Sequence, residues 1–124
     1  MKDKQTGKFV RAGRISERLA AMEAPEKFVT QAKAIEAGET GLKGYLHKPA
    51  LHGMVRFIDL AVTQDLPLDF HKSTIVAFLD DLDKRSTGSA YWLRYANAMQ
   101  EVAREMGCTF QVIDGFEARL GPGA

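Results

Sequence analysis

A chain of 124 residues, of which 45% are hydrophobic and 27% charged, has room for one hydrophobic core but not for two. Its composition is close to that of globular domains and excludes the disordered class. The most apolar stretches are interrupted by Arg56, Asp59 or Asp80. None approaches the roughly 18 apolar residues of a membrane span, so we predict no membrane association.

The cysteine content limits the disulfides and metal sites that the chain can form. Cys108 is the only cysteine, so the chain can form neither an intramolecular disulfide nor a cysteine-rich zinc site. The first residues are charged and lack the apolar run of a secretory signal. We therefore predict a protein of a reducing compartment, the cytoplasm.

Positive charge is concentrated at the N-terminus. Residues 1–14 carry five cationic residues against the single acid Asp3, while the net charge of the whole chain is only +1. The five are Lys2, Lys4, Lys8, Arg11 and Arg14. We predict a basic arm over 1–14 and one helical domain over 15–124. The arm either contacts phosphate or is a solvated tail.

Two helices are predicted before the first glycine-rich stretch. Ser16 is a suitable N-cap for a helix over 17–24, and Pro25 can open a second helix or kink a longer one. Gly38 can end the second helix, and the glycines and proline of 38–49 predict a loop. The apolar face of the second helix consists of Phe28, Ala32 and Ile35.

The clearest helical pattern begins at Ala50 and must stop before Pro67. Arg56, Asp59 and Thr63 fall on its polar side. Its apolar stripe, which we expect to face the core, consists of Leu51, Met54, Val55, Ile58, Ala61 and Val62.

Two further helices are predicted over 73–85 and 89–106, capped by Ser73 and Ser89. Gly107 should end the second. The first presents Ile75, Phe78, Leu79 and Leu82. The second presents Trp92, Tyr95, Met99, Val102 and Met106. This last stripe packs either within the monomer or between the two copies of a homodimer.

The C-terminal pattern changes to alternation and predicts a β-hairpin over 109–120, with a two-residue turn that places Gln111 opposite Ala118. Residues 8–11 are the only candidate for a third strand. The predicted fold class is mainly α, or α+β. It consists of four to five helices packed as a small bundle with a C-terminal β-hairpin, joined by an N-terminal strand if that third strand forms.

No residue pattern predicts catalysis. No serine lies in a nucleophile-elbow pattern, and Cys108 follows a helix C-terminus, where a thiolate is disfavoured and burial is expected. The three histidines, His47, His52 and His71, form no pair with metal-ligand spacing. We predict no catalytic residue, metal or cofactor, and no enzyme. An enzyme built from His52, His71 and the aspartates of 80–83 stays open, because clustering in space is invisible to the sequence.

An acidic group, Asp80, Asp81 and Asp83, lacks the pattern of a calcium loop. It is either a solvated helix face or a contact patch for a basic partner.

The order of the last elements resembles a known architecture. The helices over 73–85 and 89–106, with the hairpin after them, are similar to the helix-turn-helix and wing of winged-helix DNA-binding domains. The resemblance implies that Arg119 contacts phosphate, with the basic arm adding further contacts. It also implies that helix 89–106 reads bases through Arg94, Asn97, Gln100 or Arg104. Glu101 and Glu105 on the same helix oppose this reading.

A second resemblance covers Lys4 to Val10, which is similar to the basic openings of some phage-encoded proteins, including packaging components. We therefore predict a non-enzymatic small binding or regulatory protein, an inhibitor or adaptor and possible phage accessory factor, whose partner is a protein or a protein–nucleic acid complex. The alternative is a winged-helix-like nucleic-acid-binding protein that uses the basic arm, Arg94, Arg104 and Arg119.

Overall fold

The structure is a computed structural model that describes residues 14–20, 22–86 and 92–108, together with the backbone of 110–113 and 117–120. Five helices make up most of it. They are α1 (Arg14–Leu19), α2 (Glu26–Ala37), α3 (Gly44–Gln64), α4 (Lys72–Ser86) and α5 (Leu93–Glu105). Among the described residues, no helix combines the length and the apolar character that a bilayer crossing requires.

The first helix is capped from outside. Ser16 lies within α1 rather than before it, so its predicted N-cap role is wrong. Instead, the Glu36 carboxylate of α2 accepts the Ile15 N–H at 3.0 Å and the Ser16 hydroxyl at 2.5 Å. A carboxylate is favourable at a helix N-terminus, where N–H groups lack intrahelical partners. The side chain of α2 thus supplies what the local sequence of α1 does not.

Helix α3 begins six residues before the predicted Ala50, so the predicted loop over 38–49 is wrong from Gly44 onward. Gly44 is the first helical residue, and the buried Pro49 lies inside the helix. A glycine at the first helical position is tolerated because the first N–H groups have no intrahelical partner. Pro49 is the sixth residue of α3, so it has no N–H to donate to the Tyr45 carbonyl four residues before it, and yet α3 continues to Gln64. The predicted end is confirmed, since Asp65 adopts a left-handed conformation with φ of 54° and caps α3 before Pro67.

Helix α4 begins at Lys72, and its cap is a histidine. The Ser73 N–H donates to His71 Nδ1 at 3.3 Å, and the His71 carbonyl accepts the Ile75 N–H at 2.9 Å. The predicted Ser73 N-cap is therefore displaced by two residues. The buried Thr74 hydroxyl donates to the Pro67 carbonyl at 2.7 Å and fixes the α3–α4 connection.

Helix α5 is shorter than predicted, beginning at Leu93. Its predicted cap, Ser89, lies outside the described residues. Gly107 ends the helical segment as expected: its φ is 80°, and the Cys108 N–H donates to the Ala103 carbonyl at 2.9 Å. Gly38 ends α2 in the same way, with φ of 76°.

The helices bury one continuous core. Ile58, Phe78 and Val102, from three predicted stripes, are all fully buried in the same cluster, which confirms the helical bundle. Phe57 forms the centre of an aromatic group, with ring centroids 6.1 Å from Phe28, 5.1 Å from Phe70 and 5.3 Å from Phe78. The stripe of α5 packs within the monomer, because Met99, Val102 and Met106 are buried there.

The β part of the predicted fold class is wrong. Where side chains are described, the chain is 76% helical, with five helices and no β-strand, so an α+β fold closed by a C-terminal β-hairpin over 109–120 is not supported. Two short strands are described as backbone only: β1 (Phe110–Ile113) and β2 (Glu117–Leu120). The third strand predicted over 8–11 lies outside the described residues.

The predicted register of the C-terminal segment is also wrong. Strands β1 and β2 pair antiparallel with Gln111 opposite Arg119, rather than opposite Ala118. The difference arises because three residues, not two, separate the strands, and loop length sets the register of antiparallel neighbours. Every predicted cross-strand pair is thereby replaced.

One glycine sets the separation of α3 and α5. A Cβ on Gly53 would lie 3.0 Å from Met99 Cγ and 3.6 Å from the Tyr95 carbonyl oxygen. Both contacts are on α5, so the missing side chain allows the two helices to approach closely.

We expect Gly53→Val to lower the free energy of unfolding by about 1–3 kcal/mol, because the new methyl groups overpack against Met99. Gly44→Ala is the matched control: it lies in the same helix, has nothing within 4 Å, and should be neutral or stabilising by up to about 1 kcal/mol. Urea unfolding followed by far-UV circular dichroism measures both. Equal stability of the two variants would contradict the close approach of α3 and α5.

Candidate functional site

A groove with a volume of about 860 Å³ lies between the start of α3 and the outer face of α5. We call it the α3–α5 groove. It is lined by Gly41, Leu42, Lys43, Tyr45, Leu46, Pro49, Arg94, Asn97, Gln100, Glu101, Arg104 and Glu105.

One wall of the groove is apolar. Leu42 and Leu46 are half-buried against the core, and Pro49 is buried. Tyr45 is 74% exposed, the largest exposed fraction among the large hydrophobic side chains described. This wall exists because α3 begins at Gly44 and not at Ala50, which brings Tyr45 and Leu46 onto the helix.

The other wall is the polar side of α5. Ala96, Ala98, Met99 and Val102 are buried, and the polar residues between them point away from the core at helical spacing. Those that line the groove are Arg94, Asn97, Gln100, Glu101, Arg104 and Glu105.

One end of the groove is closed by Glu105. Its Oε1 accepts a hydrogen bond from Gln31 Nε2 of α2 at 2.6 Å. Its Oε2 lies so close to the Gly41 backbone that a Cβ there would be 2.7 Å away. The carboxylate thus joins α2, α5 and the α2–α3 connection at one point.

The groove carries more positive than negative charge. Lys43, Arg94 and Arg104 stand against Glu101 and Glu105. Arg104 Nη1 donates to Glu101 Oε1 at 3.0 Å, and the Arg94 guanidinium lies 5.8 Å from the centroid of the Tyr95 ring. Because Gln31 donates to Glu105 and Arg104 donates to Glu101, both carboxylates of the groove accept hydrogen bonds from other residues of the protein.

A second, smaller depression lies between α3, α4 and the start of α5. Arg56 is at its centre, since Nη1 donates to Asp81 at 3.3 Å and the guanidinium lies 5.4 Å from the centroid of Trp92. Arg85 donates to the same Asp81 oxygen at 3.1 Å. The Arg56–Asp81 pair joins α3 to α4, whereas the Arg85–Asp81 pair lies within α4. Asp59, which also lines this depression, pairs with Arg18 at 2.6 Å, so the charged groups of the depression have partners within the protein.

The structure brings part of the predicted nucleic-acid-binding set together. Arg94 and Arg104 line one groove, along with Asn97 and Gln100. Lys2, Lys4, Lys8 and Arg11 lie outside the described residues. The side chains of Arg14 and Arg119 are also outside them; only their backbone is placed, at the start of α1 and in β2.

The three predicted partner-binding aspartates differ in their surroundings. Asp80 is exposed and pairs with Lys84 at 3.1 Å, one helical turn away. Asp81 is drawn into the contacts with Arg56 and Arg85, while Asp83 is exposed. The acidic patch stays a prediction, but Asp81 is engaged within the protein.

The histidines do not converge on a site. His52 lies 6.5 Å from the Tyr95 ring, His71 caps α4, and His47 lies beside Gly38. In the described part of the chain, no three His, Cys, Asp or Glu side chains are grouped so that they could hold a metal ion.

The apolar wall was missed by the sequence analysis. The glycines and proline of 38–49 predicted a loop, and so Tyr45 and Leu46 were not assigned to an element. A signal was present, because Leu46 and Ala50 continue the apolar stripe of α3 backward at a spacing of four residues.

Comparison with known proteins gives no relative. No protein family model, no curated protein and no solved structure matches the chain.

We expect Cys108 to react slowly with iodoacetamide in the native protein. The thiol is buried, and its Sγ donates to the Phe70 carbonyl at 3.3 Å. Burial first and the Asp69 carboxylate second raise the pKa of the thiol, against a smaller lowering by Lys27. Alkylation at pH 7.5 should be slow in buffer and fast in 8 M urea, by mass spectrometry; equal rates would contradict the burial.

The raised pKa of the Cys108 thiol also makes the free energy of unfolding depend on pH. The unfolded chain, with a thiol pKa of about 8.5, loses the proton at a lower pH than the folded chain. The free energy of unfolding should therefore fall as the pH rises above that value, and Cys108→Ala should weaken this dependence.

Proposed function

We propose that the protein is a non-enzymatic binding protein, an inhibitor or adaptor, that acts by occupying a macromolecular partner through the α3–α5 groove. The observation that carries the proposal is the placement of the exposed Tyr45 opposite Arg94 and Arg104 across one preformed groove. Tyrosine and arginine are enriched among residues that dominate binding energy. The apolar wall beside them adds the burial that a protein interface requires.

The packing of α3 against α5 supports the proposal. The groove is preformed by the core packing of α3 and α5, which limits the cost of ordering on binding. The proposal includes a cytoplasmic setting, supported by the buried free thiol of Cys108, and a mobile-element origin, supported by the resemblance at Lys4 to Val10. A turnover of any substrate that one point mutation abolishes would overturn the non-enzymatic part.

Site-specific crosslinking tests the surface. A benzophenone amino acid at position 45, in the full chain expressed in the source cells, should crosslink to a discrete macromolecular partner. The same amino acid at position 76 is the control, because Val76 is 50% exposed on α4 and does not line the groove. Crosslinking from both positions alike, or from neither, would contradict the proposed surface.

A second function is favoured by one observation. Arg94, Asn97, Gln100 and Arg104, the residues that a DNA-reading helix would use, lie together in the groove. The charged residues of the groove sum to only one net positive charge, which is too little for strong neutralisation of phosphates and makes this the weaker candidate.

The dependence of nucleic-acid affinity on salt concentration tests this second function. If α5 binds nucleic acid, affinity for a mixed-sequence duplex falls steeply with salt, and Arg94→Gln and Arg104→Gln each weaken the binding. Replacing Lys2, Lys4, Lys8 and Arg11 by glutamine measures the contribution of the basic arm. Undetectable or salt-independent binding eliminates the function.

A further inference from the structure

The α3–α5 groove has the length of a short helix. It follows α5 from Arg94 to Glu105, a span of about 16 Å at the helical rise of 1.5 Å per residue. That distance corresponds to about three turns of a bound helix. A ligand of this length can present one apolar stripe to the wall formed by Leu42, Tyr45 and Leu46.

The backbone of the groove favours a helical ligand over an extended one. The walls are built from α3, α5 and the connection before α3, and the interior N–H and C=O groups of a helix bond within that helix. An extended peptide would find no row of backbone partners here, unlike one that adds to a sheet edge. A helix satisfies its own backbone groups and needs only side-chain contacts from the groove.

The charges of the groove favour an acidic ligand. The carboxylates of Glu101 and Glu105 already accept hydrogen bonds from Arg104 and Gln31. Each arginine and lysine carries several N–H donors, whereas a carboxylate only accepts. Three cations against two carboxylates therefore leave the groove with a net positive charge, which favours an acidic ligand.

We infer that the α3–α5 groove binds an acidic amphipathic helix of a partner protein, whose apolar stripe packs on Tyr45 and Leu46 and whose carboxylates meet Lys43 and Arg94. The inference rests on the proposed function and specifies the partner's chemistry. A nucleic acid fits less well, because the apolar wall of Leu42, Tyr45 and Leu46 offers no contact to its phosphates.

A display selection tests the inference. The probe is a library of 14-residue peptides on a helical framework with randomised exposed positions, selected against the full-length protein. Enriched sequences are synthesised, and their affinities are measured by fluorescence anisotropy. The variants are Tyr45→Ala, Lys43→Glu and Arg94→Glu. The controls are Val76→Ala and Lys84→Glu, both exposed positions on α4 outside the groove. Circular dichroism confirms that each variant is folded.

We expect the enriched peptides to combine an apolar stripe with aspartate or glutamate. Each groove variant should weaken their binding about tenfold or more, the scale of a lost binding hot spot, and the controls should leave it unchanged.

The contrary outcomes are distinguishable. Peptides that depend on Tyr45 but are basic, or that bind Lys43→Glu and Arg94→Glu as well as wild type, overturn the inference and leave the proposed function standing. Failure to enrich any peptide also overturns the inference, while crosslinking at position 45 decides the proposed function separately. Binding of single-stranded or duplex oligonucleotides through the same residues overturns the inference and supports the second function, nucleic-acid binding.

Discussion

The packing of Phe57 against three other phenylalanine rings is the interaction on which the fold depends. Phe28 brings in α2, Phe70 brings in the connection after α3, and Phe78 brings in α4. Each aromatic pair adds about 0.5–1.5 kcal/mol beyond the burial of its area. Because these rings come from four segments of the chain, α3 cannot shift without disturbing α2, α4 and the connection between α3 and α4. The first part of α3 forms one wall of the groove, so the position of that wall depends on the same cluster.

The polar contacts are secondary to that core and define the surface. The Arg56–Asp81 pair links α3 to α4, while Arg85 pairs with the same Asp81 within α4. Ion pairs near the surface contribute at most about 1 kcal/mol each. The Glu105 carboxylate has a different position, because it joins three segments at the end of the groove. On the side of α4, the surface charges thus pair with one another and support the packing of the helices. On the side of α5, the charged residues line the open α3–α5 groove.

The sequence predicted the parts of the fold that follow from periodicity. The stripes of Ile58, Phe78 and Val102 and the terminating Gly38 and Gly107 were all correct, because burial and positive φ leave direct marks on residue choice. Helix starts were not predicted, since α1 takes its cap from Glu36, twenty residues away, and α4 from a histidine. The C-terminal register failed because it depends on a loop length that one residue changes. For the groove, the sequence predicted the α5 residues as a nucleic-acid-binding set. It did not predict the wall that contains Tyr45, because Gly44 and Pro49 indicated a loop there.

The absence of a side chain at Gly53 links the interior to the binding surface. The distance between α3 and α5 is set where Gly53 meets Met99, and the same two helices form the walls of the groove. A slightly larger residue at this buried seam would spread the walls without altering any group that a ligand touches. Selection for a new partner can therefore act on an internal position, and related chains with identical groove surfaces need not accept the same ligands.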